Sequence, residues 1–159
     1  MRIEQAELKD AEAISTILNS GVKEWAGTEY ESLKGWYLEH YSIPKIESNL
    51  INPEKQFFVH KNDDEEINGT IIITNNEDSV HFGGLYVTEK RKGVATKLIE
   101  YAEKVTYDLN PDIKYIEVYI WHRNYLSETI FEKHGFKLVS TNFTAGTFYK
   151  VFRKKLNKV

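Results

Sequence analysis

The chain has no cysteine. Disulfide frameworks, cysteine zinc centres and a thiol nucleophile are therefore excluded. Proline is almost as scarce. Pro44, Pro53 and Pro111 are the only three, and each falls where one element gives way to another, so none belongs to a proline-rich linker. No apolar run approaches the ~20 residues that span a bilayer, and the first residues show no signal-peptide pattern. The expectation is a cytoplasmic protein with no membrane partner. A basic excess is also missing: 21 Lys and Arg stand against 24 Asp and Glu, for a net charge of −3. That balance argues against a general nucleic-acid binder. The five histidines, His40, His60, His81, His122 and His134, form no close pair, so no metal site is expected. There is no internal repeat, low-complexity tract or linker, and residues 1–159 read as one domain.

The hydrophobic pattern alternates between the two common periods. Arg2 to Glu7 reads as a strand. Asp10 caps a helix with Ala11, Ile14, Ile17 and Leu18 on its apolar face, closed at Gly21. Glu29 to Tyr41 is an aromatic-rich helix, and Pro44 opens a further helical stretch to Leu50. Strands follow at Gln56–His60, Ile67–Thr74 and Ser79–Val87, with a polar turn at Asn62–Glu66. Val94, Leu98, Tyr101, Val105 and Leu109 then recur at helical spacing. Tyr115–Trp121 is a strand, Ser127–Lys133 a short helix closed by Gly135, and Phe136–Val139 and Phe148–Phe152 are the last strands. The helical crossover between Val87 and Tyr115 makes those two strands parallel in an otherwise antiparallel sheet. Ligands of such sheets gather at the carboxyl ends of the strands.

The segment Lys90-Arg91-Lys92-Gly93-Val94-Ala95 lies at such an end. A strand, a basic turn with a glycine, and a helix start together present unpaired N–H groups and positive charge, which suits phosphate. Gly93 and small Ala95 leave the backbone approachable, Thr96 adds a hydroxyl, and Lys90, Arg91 and Lys92 add charge. Further along, Asn124, Ser127, Phe131, Gly135 and Phe136 share one spacing pattern.

Together these two motifs make the chain resemble the GNAT superfamily of acyl-coenzyme A N-acetyltransferases along nearly its whole length. Leu85-Tyr86-Val87 with Gly93-Val94-Ala95 is similar to the cofactor motif Q/R-x-x-G-x-G/A, with Lys90 at its first position. The second set is similar to N-x-x-A-x-x-x-Y-x-x-x-G-F. Three departures stand out. The link from Val87 to Gly93 is about two residues short, Lys90 replaces glutamine or arginine, and Phe131 replaces a tyrosine proposed as general acid.

The resemblance implies a mixed, mostly antiparallel α/β sheet of about seven strands, with a splayed parallel pair at the cofactor site. It implies acetyl-coenzyme A as donor. The pantetheine arm would pair with the strand near Leu85, Tyr86 and Val87, and the diphosphate would sit over Lys90 to Thr96. Asn124 would bond the pantetheine or cap its helix, and Phe131 would pack near the thioester. The Gly83-Gly84 pair signals a bulge beside the acetyl group.

Transfer to an amine needs a proton acceptor, and glycines occupy the position of the usual glutamate. His81 is the nearest titratable candidate, with Glu24, Glu39 and Glu117 as alternatives. Tyr125, Tyr86 or solvent would protonate the leaving thiolate. Glu24, Trp25 and Trp36, with Tyr30, Tyr37 and Tyr41, are expected near the acceptor, helped by Glu29, Glu31, Glu39 and the segment Thr141–Phe148. The competing role for most of these aromatics is core packing. The reading is therefore direct transfer from acetyl-coenzyme A to a primary amine of a small molecule or peptide in a ternary complex. A homodimer is compatible with it. The other readings are a non-catalytic acyl-coenzyme A binding module and an unrelated nucleotide-phosphate binding domain.

Overall fold

In the computed structural model, residues 1–90, 92–144 and 147–156 are described. Seven strands, β1 (Arg2–Gln5), β2 (Lys55–Lys61), β3 (Ile67–Asn75), β4 (Ser79–Val87), β5 (Tyr115–Trp121), β6 (Lys137–Thr144) and β7 (Thr147–Lys155), form one sheet in the order β1-β2-β3-β4-β5-β7-β6. Every pairing is antiparallel except β4 with β5. The crossover between those two is α4 (Val94–Leu109), as the helical spacing of its apolar residues predicted. The remaining helices are α1 (Ala11–Ala26), α2 (Tyr30–His40), α3 (Ile43–Leu50) and α5 (Tyr125–Lys133).

The alternating strands bury apolar side chains on both faces of the sheet. Val80, Phe82, Ile116 and Val118 point to the face packed by α4 and α5, with Leu98, Ile99, Phe131 and Phe136. Phe57 and Val59 point to the opposite face, where they meet Ile14 and Leu18 of α1 and Ile46 of α3.

Helix α1 does not end at Gly21, as its sequence pattern predicted. It continues to Ala26 and stops at Gly27, where φ is +55°. Gly21 serves close packing instead. A Cβ there would lie 2.6 Å from the Tyr86 ring, so the glycine lets β4 and α1 approach. The last strands are longer than predicted because β6 and β7 pair along a continuous hairpin, with a register irregularity between Leu138 and Ser140. Every residue of β6 is exposed, so no apolar alternation marked its length in the sequence.

Candidate active site

Strands β4 and β5 are paired only as far as Phe82 with Val118. Beyond that point they separate, and the cause lies in β4. Opposite β3, Thr70 faces Tyr86 and Ile72 faces Gly83, so Gly84 and Leu85 together oppose Ile71. This is a bulge of one extra residue. Gly84 adopts φ +57°, and a Cβ on it would stand 2.5 Å from Ile72 Cδ1. The Thr70 hydroxyl donates to the Gly84 carbonyl at 2.7 Å, which holds the kink. On the side where β5 has turned away, Gly83 to Val87 have no strand neighbour.

An inner cavity fills the gap. Gly83, Gly84, Leu85 and Tyr86 form one wall, and Val118 to Trp121 form the other. Trp25, Tyr37 and Tyr41 from α1 and the α2 region close one end, while Asn124, Ser127 and Phe131 close the other. No charged residue among the described ones lines it. An outer groove continues from it along Leu85, Tyr86 and Val87 to Lys90 and Ala95, with Asn124, Tyr125, Ser127 and Ile130 opposite. A third depression reaches Gly93, Val94, Ala95 and Thr96 at the start of α4. The three form a continuous path from the aromatic end to the basic turn.

The turn has the features expected of an anion site. Gly93 sits at φ +79°, and among the described residues nothing lies within 4 Å of where its Cβ would stand. The first backbone bond of α4 runs from Lys97 N–H to Gly93 O at 3.1 Å, so the amides of Val94, Ala95 and Thr96 precede the helical ladder. No side chain caps them. Lys90 is turned back toward the protein. Its Nζ donates to Val87 O at 2.7 Å, lies 3.5 Å from Glu24 Oε1 and sits 4.0 Å above the Tyr86 ring. The Tyr86 hydroxyl in turn donates to Glu24 Oε2 at 2.5 Å. Desolvation first, and then this carboxylate, push the Tyr86 phenol up to about 12. Arg91 lies outside the described residues.

At the start of α5, Asn124 Oδ1 accepts from Ser127 N–H at 3.3 Å, so the asparagine does cap its helix. It also lines both cavities. Phe131 is 1% exposed, and its ring meets Phe136 edge-on at 5.1 Å. Tyr125 is exposed and lines the outer groove, not the inner cavity.

His81 lies beside the inner cavity but does not line it. Its ring packs 4.5 Å from Tyr119, and its Cε1 is 3.3 Å from where a Gly83 Cβ would stand. Nε2 is buried with no hydrogen-bond partner. Burial lowers its pKa to about 4, with Glu117 pulling it up and Lys55 pushing it further down. This placement does not suit the expected general base, because a dry site penalises the imidazolium.

The acceptor-side expectations also divide. Trp25 stacks on Trp121 at 5.8 Å and closes the inner cavity with Tyr37 and Tyr41. Trp36 does not line that cavity. It is half-exposed, stacks on His40 at 3.7 Å and meets Tyr37 edge-on. Two of the acidic residues expected to draw in an amine, Glu29 and Glu31, are engaged elsewhere. Glu29 accepts from Thr147 Oγ1 at 2.7 Å and lies 2.8 Å from His122 Nε2, which together hold its carboxyl below the usual range. Glu31 pairs with Lys34 at 2.6 Å. Of the expected four, Glu24 borders the path, on the outer groove, and Glu39 lines none of its three parts. The described part of Thr141–Phe148 contributes nothing to the inner cavity, and Ala145 and Gly146 lie outside the description. Trp121 and Tyr119 were missed from sequence. Their signal is the odd-numbered aromatic series Tyr115, Tyr119, Trp121 opposite the buried Ile116, Val118 and Ile120.

No helix among the described residues is long and apolar enough to cross a membrane. Among the same residues no cluster of His, Asp and Glu is arranged to hold a metal ion.

A mixed sheet whose parallel pair opens beside the start of α4 is an arrangement this chain shares with solved acetyltransferase structures. The family model for the acetyltransferase (GNAT) domain matches residues 26–149. The chain belongs to this family of acetyltransferases, whose acyl donor is acetyl-coenzyme A. Its fold is similar to a PaiA N-acetyltransferase from Thermoplasma acidophilum in complex with coenzyme A. The TM-score there is 0.84 at 22% identity, with 98% of this chain and all of that one covered. It is also similar to an aminoglycoside 6′-acetyltransferase type Ii, with TM-score 0.73, 16% identity and both chains covered in full. A variant of the spermidine N-acetyltransferase SpeG from Vibrio cholerae has TM-score 0.67 and 16% identity, over 96% of this chain and 94% of that one. No curated protein sequence matches the chain.

Proposed function

We propose that this protein transfers an acetyl group from acetyl-coenzyme A to the primary amine of a small molecule, by direct attack in a ternary complex. The observation that carries this reading is the opening of β4 from β5 after Phe82 and Val118, continuous with the groove to the α4 start. When bound, the donor supplies a thioester carbonyl with a thiol leaving group, which is activated toward nitrogen at neutral pH.

The residues present fit that donor. The amides of Val94, Ala95 and Thr96, with Lys90 and Lys92, take the diphosphate. The unpaired edge of β4 at Leu85, Tyr86 and Val87 pairs with the pantetheine amides like an added strand. Asn124 holds the same arm from the opposite side. The bulge at Gly83-Gly84 brings backbone close to the reacting carbonyl.

Trp25, Tyr37, Tyr41 and Trp121 receive the acceptor. An uncharged aromatic wall selects by face and edge contact and by attraction of an alkylammonium to ring faces, without a carboxylate anchor. The relatives named for aminoglycoside and spermidine acetylation act on amines of this broad kind. His81, with a pKa of about 4, holds a proton far more weakly than an alkylammonium near ~10. We therefore assign it to packing beneath Tyr119 and pass the amine proton to water at the mouth of the cavity. Tyr125 stands over the outer groove, where it contacts the donor arm and not the reacting carbonyl.

The test is release of free thiol from acetyl-coenzyme A in the presence of a panel of alkyl, arylalkyl and polycationic amines. Release with at least one amine is expected. Cofactor-dependent thermal stabilisation without thiol release from any amine would instead support a non-catalytic binding module.

A further inference from the structure

Phe131 occupies the place where a proton donor to the leaving group would be sought, and its ring has no polar atom. One turn earlier on the same face of α5 stands Ser127. It is half-buried and lines both the inner cavity and the outer groove, so it stands where the two meet. Its backbone N–H is taken by Asn124 Oδ1. Its hydroxyl makes no hydrogen bond to any described residue. Some helical hydroxyls here are committed to their own helix, while those of Ser20, Ser48 and Thr96, like that of Ser127, make no hydrogen bond to a described residue. Thr16, Thr106 and Thr129 each donate to the carbonyl four residues back, at 3.0, 2.8 and 2.9 Å. What sets the Ser127 donor apart is its place: it is uncommitted in a residue that lines both the inner cavity and the outer groove. The Tyr86 hydroxyl is already committed to Glu24, and Tyr125 lines only the outer groove.

We propose that Ser127 is a further catalytic residue, whose hydroxyl donates a hydrogen bond to the sulfur of the acyl donor as the thioester breaks. The inference rests on the acyl-transfer reading above. In the step, the bond from the amine nitrogen to the acetyl carbon forms and the carbon–sulfur bond breaks, its electron pair going to sulfur. The extra proton on nitrogen passes to water, and water returns one to sulfur. Ser127 keeps its own proton throughout and steadies the charge that develops on sulfur. A donor aimed at developing charge in a water-poor site acts mainly on the rate. The same hydrogen bond stabilises the thiolate of bound coenzyme A and so lowers the pKa of its thiol.

The experiment compares the protein with Ser127→Ala. Alanine is the better helix former and removes only the hydroxyl, so folding is preserved. The first readout is the ultraviolet thiolate absorbance of bound coenzyme A titrated with pH. The thiol is expected to titrate higher in the variant. The second is steady-state kinetics. A fall in kcat of about tenfold to a hundredfold is expected, with acceptor KM within about twofold. Superimposable thiol titrations, or a kcat within about twofold, would overturn the assignment. Absence of coenzyme A binding to the unsubstituted protein in calorimetry would overturn the acyl-transfer reading itself, and Ser127's role with it. Binding and turnover that survive with only the Ser127 effects missing would remove this inference alone.

Discussion

Consider what acid does to His81. Its imidazole packs under Tyr119 on β5, with the Glu117 carboxylate and the Lys55 ammonium as the charged groups that act on it. Burial dominates and lowers its pKa from 6.5 to about 4. A depressed histidine is neutral in the fold but takes a proton in the unfolded chain below pH 6.5. Its contribution is complete above that pH and is lost as pH falls toward 4. Linkage then makes stability drop by about 1.4 kcal/mol per pH unit through that window, about 2 kcal/mol at pH 5 and about 3 kcal/mol at full effect. The assay is urea unfolding at pH 7.5, 6, 5 and 4.5 on the protein and on His81→Leu, which keeps bulk and removes the titration. The difference in free energy between the two should shift in favour of the leucine variant by about 2 kcal/mol between pH 7.5 and 5. Carboxylates that titrate in the same range are common to both and cancel. Parallel stability curves across these pH values would refute a dry, neutral His81. A compatible kinetic result is a pH–rate profile above pH 5.5 with no inflection lost in the variant.

Gly84→Ala should destabilise the protein by about 1–3 kcal/mol, because φ is +57° and the new methyl would press on Ile72. Denaturant midpoints would show it, and an unchanged midpoint would remove the bulge as the cause of the strand opening. Glu24→Gln should tighten coenzyme A binding about two- to fivefold, as a partly exposed ion-pair partner of Lys90 is neutralised beside the groove. Calorimetry showing equal or weaker binding would mean that Glu24 does not compete for Lys90. Trp121→Ala removes a ring that contacts Trp25, Trp36, Tyr37 and Tyr149. It should raise acceptor KM about tenfold or more and leave coenzyme A affinity unchanged. An unaltered KM would take the acceptor away from the aromatic end.

Much of this architecture was legible in the chain because its cues are local. Strand alternation around Ile116, Val118 and Ile120, the three- and four-residue steps of Val94, Leu98, Tyr101, Val105 and Leu109, and the polar turn at Asn62–Glu66 each act over a few residues. The basic turn and the Asn124–Phe136 spacing are local in the same way, and residues of both line the outer groove or the depression at the start of α4. Gly83-Gly84 announced a bulge, and a bulge is present. Gly21 was misread for the opposite reason. A glycine that ends a helix and one that admits a neighbour look alike until the neighbour, Tyr86, is known.

Contacts around the aromatic end join residues that lie far apart in the chain. Glu24 meets Tyr86 across 62 residues and His122 meets Glu29 across 93. Those contacts commit the carboxylates that looked free for an amine and leave the inner cavity aromatic and uncharged. Separately, burial beside Tyr119 lowers the pKa of His81, the titratable candidate base, to about 4. The residues alone determined an α/β domain without a thiol nucleophile, since helix starts, strand periods and glycine turns are written in neighbouring positions, and acyl-coenzyme A followed from the resemblance of its two motifs to the GNAT family. Only the tertiary structure decided which side chains keep a free polar atom at the junction of the two cavities, because hydrogen-bond commitment and desolvation depend on everything packed around a group.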